Sequence, residues 1–133
     1  DIAVSMRDLS VLANEREQAN VLYNRPPSKL SVDHETFLPQ LQKALLTAVT
    51  IVYAQGMALL AVASENYQYQ IDLETVARIW RGGCIIRANL LEDIRNAFSR
   101  NKNLPNLLLD PNFADMIIEN VNALREVISL VCI

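Results

Sequence analysis

Residues 44–64 read ALLTAVTIVYAQGMALLAVAS, and this uncharged stretch decides how the rest of the chain is interpreted. As an α-helix it would be about 31 Å long, which is long enough to cross a bilayer. Two threonines, a glutamine, a glycine and six alanines dilute its hydrophobicity, however. We therefore predict that it is the central helix of a globular domain, with a membrane span as the alternative.

The segment before this stretch predicts one helix followed by a long irregular linker. Apolar residues recur at helical spacing over residues 1–22, and Pro26–Pro27 cannot continue a helix. The central helix is expected to begin near Thr36, whose hydroxyl can cap free backbone N–H groups, with Pro39 in its first turn. It is expected to end near Asn66.

Three further helices are predicted after the central one. Asp72 is a suitable N-cap for a helix that ends at Gly82–Gly83, because glycine enters the left-handed conformation without steric cost. The glycine pair predicts a tight corner, after which the next helix runs from Cys84 to Arg100. A break follows near Pro105, and Asp110–Pro111 predicts the cap and first turn of the last helix. The residues expected to face inward are Ile85, Leu90, Leu91, Ile94 and Phe98 in the fourth helix and Ile117, Val121, Leu124, Ile128 and Val131 in the last.

These patterns together predict an all-α fold of about five helices around a long central apolar helix. No alternation typical of strands and no internal repeat stands out in the sequence. The length of 133 residues fits a single helical domain over residues 1–133.

Composition and motif content exclude several classes of function. The net charge is −3, so the isolated Arg-Gly-Gly at residues 81–83 is weak support for nucleic-acid binding. Cys84, Cys132 and the single histidine, His34, cannot supply the four ligands of a usual zinc site. Free thiols would indicate a reducing compartment, with a disulfide between the two cysteines as the alternative, and the first residues lack the features of a signal peptide. With glycine only at positions 56, 82 and 83, the chain has no dinucleotide fingerprint or phosphate loop.

Few side chains remain as candidates for chemistry. Glu92–Asp93 is expected to be part of a solvated helix face. Cys84 is either a thiol of low pKa at a helix N-terminus or, the reading we favour, a buried structural thiol. Trp80 is expected in the core or in an interface. Arg7 can pair with an internal carboxylate, which the spacing favours, or bind a phosphate from outside the domain. The residues alone thus predict a helical domain without a complete active site.

The sequence IWRGGCIIR at residues 79–87, with YAQG at 53–56 and NLLLD at 106–110, resembles the 6-phosphogluconate dehydrogenase family. The opening DIAVSMRDLSVLANER extends this resemblance to essentially the whole chain. The resemblance implies a cytoplasmic, homodimeric, decarboxylating enzyme of the pentose phosphate pathway. Such an enzyme uses NADP to convert 6-phosphogluconate to ribulose 5-phosphate. By the same resemblance, Arg7 holds the substrate phosphate, although Met6 departs from the small residue usual before that arginine.

The resemblance further implies that the chain is only the middle of the family's all-helical domain. The Rossmann domain that binds NADP, the helix with the catalytic lysine and glutamate, and the C-terminal tail would lie outside it. We therefore expect no catalytic, cofactor-binding or metal-binding residue here, no nucleic-acid or membrane partner, and no activity from the chain alone. Its expected contribution is scaffold and dimer surface. The alternative, from the residues alone, is a stand-alone helical interaction module.

Overall fold

A computed structural model of the chain describes Ser5, Asp8 and residues 11–23, 32–83 and 85–131. The chain divides into two compact units, Asp1–Val32 and Asp33–Ile133, and each unit is treated by itself. In the first unit, helix α1 spans Ala13–Tyr23 and has no buried residue. Its end at Tyr23 agrees with the predicted stop before the proline pair.

The second unit contains four α-helices and one short 3₁₀-helix. Their bounds are α2, His34–Tyr67; α3, Leu73–Gly83; α4, Leu90–Arg100; the 3₁₀-helix, Leu107–Leu109; and α5, Pro111–Val131. Helix α5 packs along α2, and α3 packs against α4. The described residues thus form five α-helices and no strand, which confirms the predicted all-α class with a long central helix.

Helix α2 has 34 residues and begins two residues earlier than predicted. Asp33, not Thr36, is its N-cap, because the Asp33 carboxylate accepts a hydrogen bond from the Thr36 backbone N–H at 3.2 Å. Pro39 therefore lies in the second turn, where its missing N–H costs one helical hydrogen bond. By length and composition α2 could cross a membrane, and 22% of its most apolar window is buried within the structure.

The glycine pair does not form the predicted corner. Helix α3 continues through Gly82 and Gly83, and neither glycine has a positive φ. A side chain at either position would meet no atom within 4 Å, so no close approach requires glycine there. Helix α4 begins at Leu90 rather than at Cys84, and Ile85, expected to face inward, is fully exposed. Residues 85–89, between the end of α3 and the start of α4, form turns and no helix.

The core lies where the four α-helices of the second unit, α2 to α5, meet the 3₁₀-helix. The predicted inward residues Leu91, Ile94 and Phe98 of α4 are buried, which confirms the period assigned to that helix. The inner face of α5 differs from the prediction, because Phe113 and Ala123 are buried whereas Ile128 is exposed. Among the other predicted α5 residues, Ile117, Val121 and Leu124 are half-buried, and the side chain of Val131 lies outside the described part.

Candidate functional site

The single substrate-binding residue that the sequence predicts, Arg7, lies outside the described residues. The same holds for both cysteines, Cys84 and Cys132, so the expectation of a buried structural thiol remains a prediction. The chemistry of the described part is therefore found in the second unit, around the end of α3 and the facing surface of α4.

An ion-pair network joins α3 to α4 beside the Ile-Trp-Arg-Gly-Gly segment. Arg95 donates hydrogen bonds of 2.7 and 3.1 Å to one oxygen of Glu92 and of 3.1 Å to Glu74. Arg81 pairs with the other oxygen of Glu92. Two guanidinium groups and two carboxylates thus form one continuous network with no net charge. Glu92 is more than the solvated helix-face residue that the sequence suggested.

The pKa shifts in this network favour the charged forms of its side chains. The hydrogen bond from Arg95, followed by the nearby positive charge of Arg81, holds the pKa of Glu92 below its usual range. The same contact raises the pKa of Arg95. Because Arg81 and Arg95 are both engaged by carboxylates, neither is poised to receive a phosphate. The network therefore works as a clamp between two helices.

A second charged contact fixes the start of α5. Asp110 is 4% exposed, and its carboxylate accepts a hydrogen bond of 2.8 Å from Arg100 at the end of α4. Its other oxygen accepts from the backbone N–H groups of Asn112 and Phe113 at 3.1 and 3.4 Å. One carboxylate thus caps α5, as the Asp110–Pro111 pattern predicted, and in addition ties α5 to α4, which the pattern did not predict.

A pocket of about 380 Å³ opens between α2, α4 and α5 near this contact. Its apolar wall comes from Leu46, Phe113 and Met116, and its polar residues are Asp93, Asn96, Arg100 and Asn112. Within the described ranges no group of three His, Cys, Asp or Glu side chains could hold a metal ion. The described residues that line the pocket include neither histidine nor cysteine, so they offer no His- or Cys-based nucleophile–base pair.

The two most distinctive sequence motifs lie side by side in the structure. Tyr53 of the Tyr-Ala-Gln-Gly segment packs against Trp80, with ring centroids 6.4 Å apart and planes tilted by 40°. The Tyr53 hydroxyl donates a 2.6 Å hydrogen bond to the Ile86 carbonyl, and partial burial raises the pKa of Tyr53. These residues and Gly56 line an apolar groove of about 440 Å³. Trp80 is half-buried against the core, as predicted.

Neither the arginine network nor this groove was found from the sequence. The residues of each site lie on different helices, so their meeting depends on how the helices pack. The only local signals were Glu92 three residues before Arg95, which is a usual spacing for a helical ion pair, and the interruption of an apolar run by Gly56.

This arrangement of helices and motifs can be compared with known proteins. Residues 1–132 match the family model described as 6-phosphogluconate dehydrogenase, C-terminal domain. The chain belongs to the 6-phosphogluconate dehydrogenase family. This match confirms the resemblance to the family that the sequence motifs indicated.

Individual members of the 6-phosphogluconate dehydrogenase family agree with this assignment. A decarboxylating 6-phosphogluconate dehydrogenase of Synechocystis is 44% identical over 128 residues, which are 96% of this chain and 27% of that relative. One from Caenorhabditis elegans is 42% identical over 129 residues, with 27% of its length covered. The Plasmodium falciparum 6-phosphogluconate dehydrogenase, whose structures include complexes with NADP⁺ and with 6-phosphogluconate, superposes with a TM-score of 0.84 at 36% identity.

The match covers only part of each family member. This chain aligns over 95% of its own length with the Plasmodium protein but over 27% of that chain. The chain thus spans about a quarter of the length of these relatives. The ion-pair clamp and the apolar groove lie within residues 1–132, which the family model matches.

Proposed function

We propose that this chain is a part of a 6-phosphogluconate dehydrogenase. The parent enzyme oxidises 6-phosphogluconate with NADP and releases carbon dioxide to give ribulose 5-phosphate. The observation that carries the proposal is the family match over residues 1–132 together with the 27% coverage of the relatives. The described helices then serve as scaffold, and the NADP-binding and proton-transfer groups belong to the rest of the parent enzyme.

Within this proposal Arg7 is the residue that binds substrate. A guanidinium group presents a planar fork of donors that matches phosphate oxygens, so Arg7 would hold the phosphate of 6-phosphogluconate. The arginines of the described clamp do not compete for this role, since Arg81 and Arg95 are occupied by Glu92 and Glu74. The proposal further includes a cytoplasmic homodimer that uses the helical domain as contact surface, with no nucleic-acid or membrane partner.

Substitution of Arg7 in the parent enzyme tests the proposed role. Loss of one charged phosphate contact costs on the order of 2–3 kcal/mol, so Arg7→Ala is expected to raise the KM for 6-phosphogluconate by roughly 30- to 150-fold. Arg7→Lys restores only part of this loss, because an ammonium lacks the fork. The measurement is the steady-state rate of NADPH formation, followed by absorbance, as substrate concentration varies.

Arg16→Ala is the matched control, since Arg16 is an exposed arginine on α1. It is expected to leave the KM for 6-phosphogluconate within about twofold of the unmodified enzyme. An unchanged KM in Arg7→Ala would remove Arg7 from the phosphate site. A parent enzyme without any NADP reduction by 6-phosphogluconate would overturn the proposed reaction as a whole.

The 133-residue chain alone separates this proposal from a stand-alone interaction module. As part of an enzyme, the chain is expected to show no NADP reduction and to associate with itself through apolar surface. A module would be monodisperse in light scattering at micromolar concentration and would bind no hydrophobic dye. Measurable NADP reduction by the chain alone would contradict the proposal that its catalytic groups lie elsewhere.

A further inference from the structure

Four large apolar residues of α2 form a regular exposed row. Leu38, Leu45, Val52 and Leu59 follow one another at intervals of seven residues, and their exposed fractions are 62, 62, 65 and 69%. We call these four residues the outer stripe. Over residues 38–59 it extends about 32 Å along the helix, at about 1.5 Å per residue.

The period of the outer stripe indicates what kind of surface it contacts. Exposed apolar residues on a monomer are normally scattered singly, whereas an interval of seven keeps one seam of a helix facing a second helix along its length. The exposed Leu41 and Val62 lie three residues after Leu38 and Leu59 and widen the same seam. A partner helix is thus favoured over a small molecule.

Gly56 gives an independent indication of a close helical partner. It lies inside α2, where glycine weakens a helix, and its φ is not positive. A side chain at this position would meet no atom within 4 Å among the described residues, so nothing inside this unit requires glycine. Gly56 instead forms part of the apolar groove with Val52 and Trp80, which opens beside the outer stripe. Small residues at a helix surface allow another backbone to approach closely.

The absence of charge on this surface and the length of the family members favour one occupant, an uncharged helix of the same polypeptide. No charged residue occurs between positions 44 and 64, so the facing helix needs an uncharged apolar seam. About three quarters of each relative lies outside the matched region, since 27% is covered. A helix linked through the same polypeptide also has a high effective concentration at this surface, unlike a separate partner.

We propose that the outer stripe and the Gly56 groove dock an uncharged apolar α-helix from the part of the same parent polypeptide that lies outside these 133 residues. This inference rests on the proposed function, because it takes the chain to be part of the longer enzyme. It adds which surface joins the two parts and where their backbones come closest.

Site-specific photo-crosslinking in the parent polypeptide tests the proposal. Val52 is replaced by p-benzoylphenylalanine, and the protein is assembled from an equal mixture of ¹⁴N- and ¹⁵N-labelled copies. Irradiation is expected to join Val52 to a peptide outside residues 1–133, with both crosslinked peptides carrying the same isotope. A mixed-isotope product would place a second copy on the stripe and overturn the proposal. A crosslink to lipid, or none at all, would overturn it as well.

Ile118 provides the matched control, because it is a 71% exposed apolar residue of α5 away from the stripe. The same replacement at Ile118 is expected not to join the segment captured by Val52, and capture of the same segment would remove the specificity that the proposal claims. A milder variant, Leu59→Cys, guards against misfolding. Its maleimide labelling is expected to be at least about tenfold slower in the parent than in the 133-residue chain diluted until light scattering shows a monomer, and equal rates would contradict docking.

These outcomes do not depend on turnover. An inactive parent with the expected crosslink would leave the docking surface intact and remove the proposed reaction. An active parent whose outer stripe is free, or is occupied by something else, would support the proposed reaction and overturn the docking surface. The two proposals can therefore fail separately.

Discussion

Helix α2 buries the side that carries its smaller residues and exposes the side that carries its larger apolar residues, which is the reverse of what hydrophobicity alone would suggest. The side against the rest of the second unit is fully buried and carries mostly small residues, namely Ala44, Thr47, Thr50, Ala54 and Met57. The opposite side carries the larger apolar residues of the outer stripe, and these are exposed. The buried side is therefore not the more hydrophobic side of this helix.

Close packing explains this difference. Small side chains on α2 allow α5 to lie near its backbone, and the core volume is then filled by Phe98, Leu107 and Phe113 from other elements. The two buried threonines cost little, because Thr47 and Thr50 donate their hydroxyls to the carbonyls four residues earlier at 2.9 and 2.8 Å. The buried side is thus selected by shape and by satisfied hydrogen bonds.

The largest expected effect comes from truncating one residue on each side of α2. Met57→Ala is expected to destabilise the 133-residue chain by about 2–5 kcal/mol, since Met57 is 1% exposed in the core and its loss leaves a cavity. Leu59→Ala, only two residues away but on the outer stripe, is expected to cost at most about 0.5 kcal/mol. Urea unfolding followed by circular dichroism measures both. Similar losses for the two variants would remove the distinction between the sides.

A smaller effect of opposite sign is expected at Gly56. Gly56→Ala should stabilise the 133-residue chain by about 0.5–1 kcal/mol, because alanine favours the helix and its methyl group meets no neighbour within 4 Å. The reverse exchange at the nearby Ala58 should destabilise the chain by a similar amount. Thermal unfolding of the two variants checks the pair. A destabilised Gly56→Ala chain would mean that a neighbour already fills the space over Gly56.

The smallest expected effect is on the pH dependence of stability, which should not change the difference in stability between variants on the two sides of α2. Hydrogen bonds from Thr75, first from its hydroxyl, lower the pKa of Asp72, which caps α3 and is exposed. A carboxyl whose folded pKa lies below its unfolded value contributes stability above the unfolded value, and that contribution is lost as pH falls through the folded one. The urea concentration at the unfolding midpoint should therefore decrease as the pH is lowered below about 4, and this decrease should be smaller in Asp72→Asn. The difference between Met57→Ala and Leu59→Ala should stay constant with pH, because both sides are uncharged.

Much of the secondary structure was predictable because its signals are local. Capping by Asp72 is confirmed by its hydrogen bond to the Thr75 backbone N–H at 3.2 Å, and α5 begins at Pro111 as expected. Leu91, Ile94 and Phe98 were assigned to the core because α4 has charged residues on its other side, so its apolar period is clear.

The errors occur where local signals conflict or are absent. A glycine pair is typical of a left-handed helix end, and α3 does end at Gly83, but both glycines have ordinary helical backbone and no close neighbour requires glycine at either position. On α5, apolar residues surround much of the helix, and the choice between Phe113 and Ile128 as core residue depended on the position of α2 and α4. The substrate role of Arg7 comes from the family resemblance and stays a prediction.

The sequence by itself determined that this chain is helical, where most of its helices begin and end, and to which family it belongs. These properties follow from caps, prolines, apolar periodicity and motifs that are read within a few residues. Tertiary structure alone decided which side of the uncharged stretch of α2 is buried, that Glu92 also holds Arg81, and that Glu74 reaches Arg95. A helix that is apolar all round carries no internal preference for one side, so the shapes and charges of its neighbours make that choice.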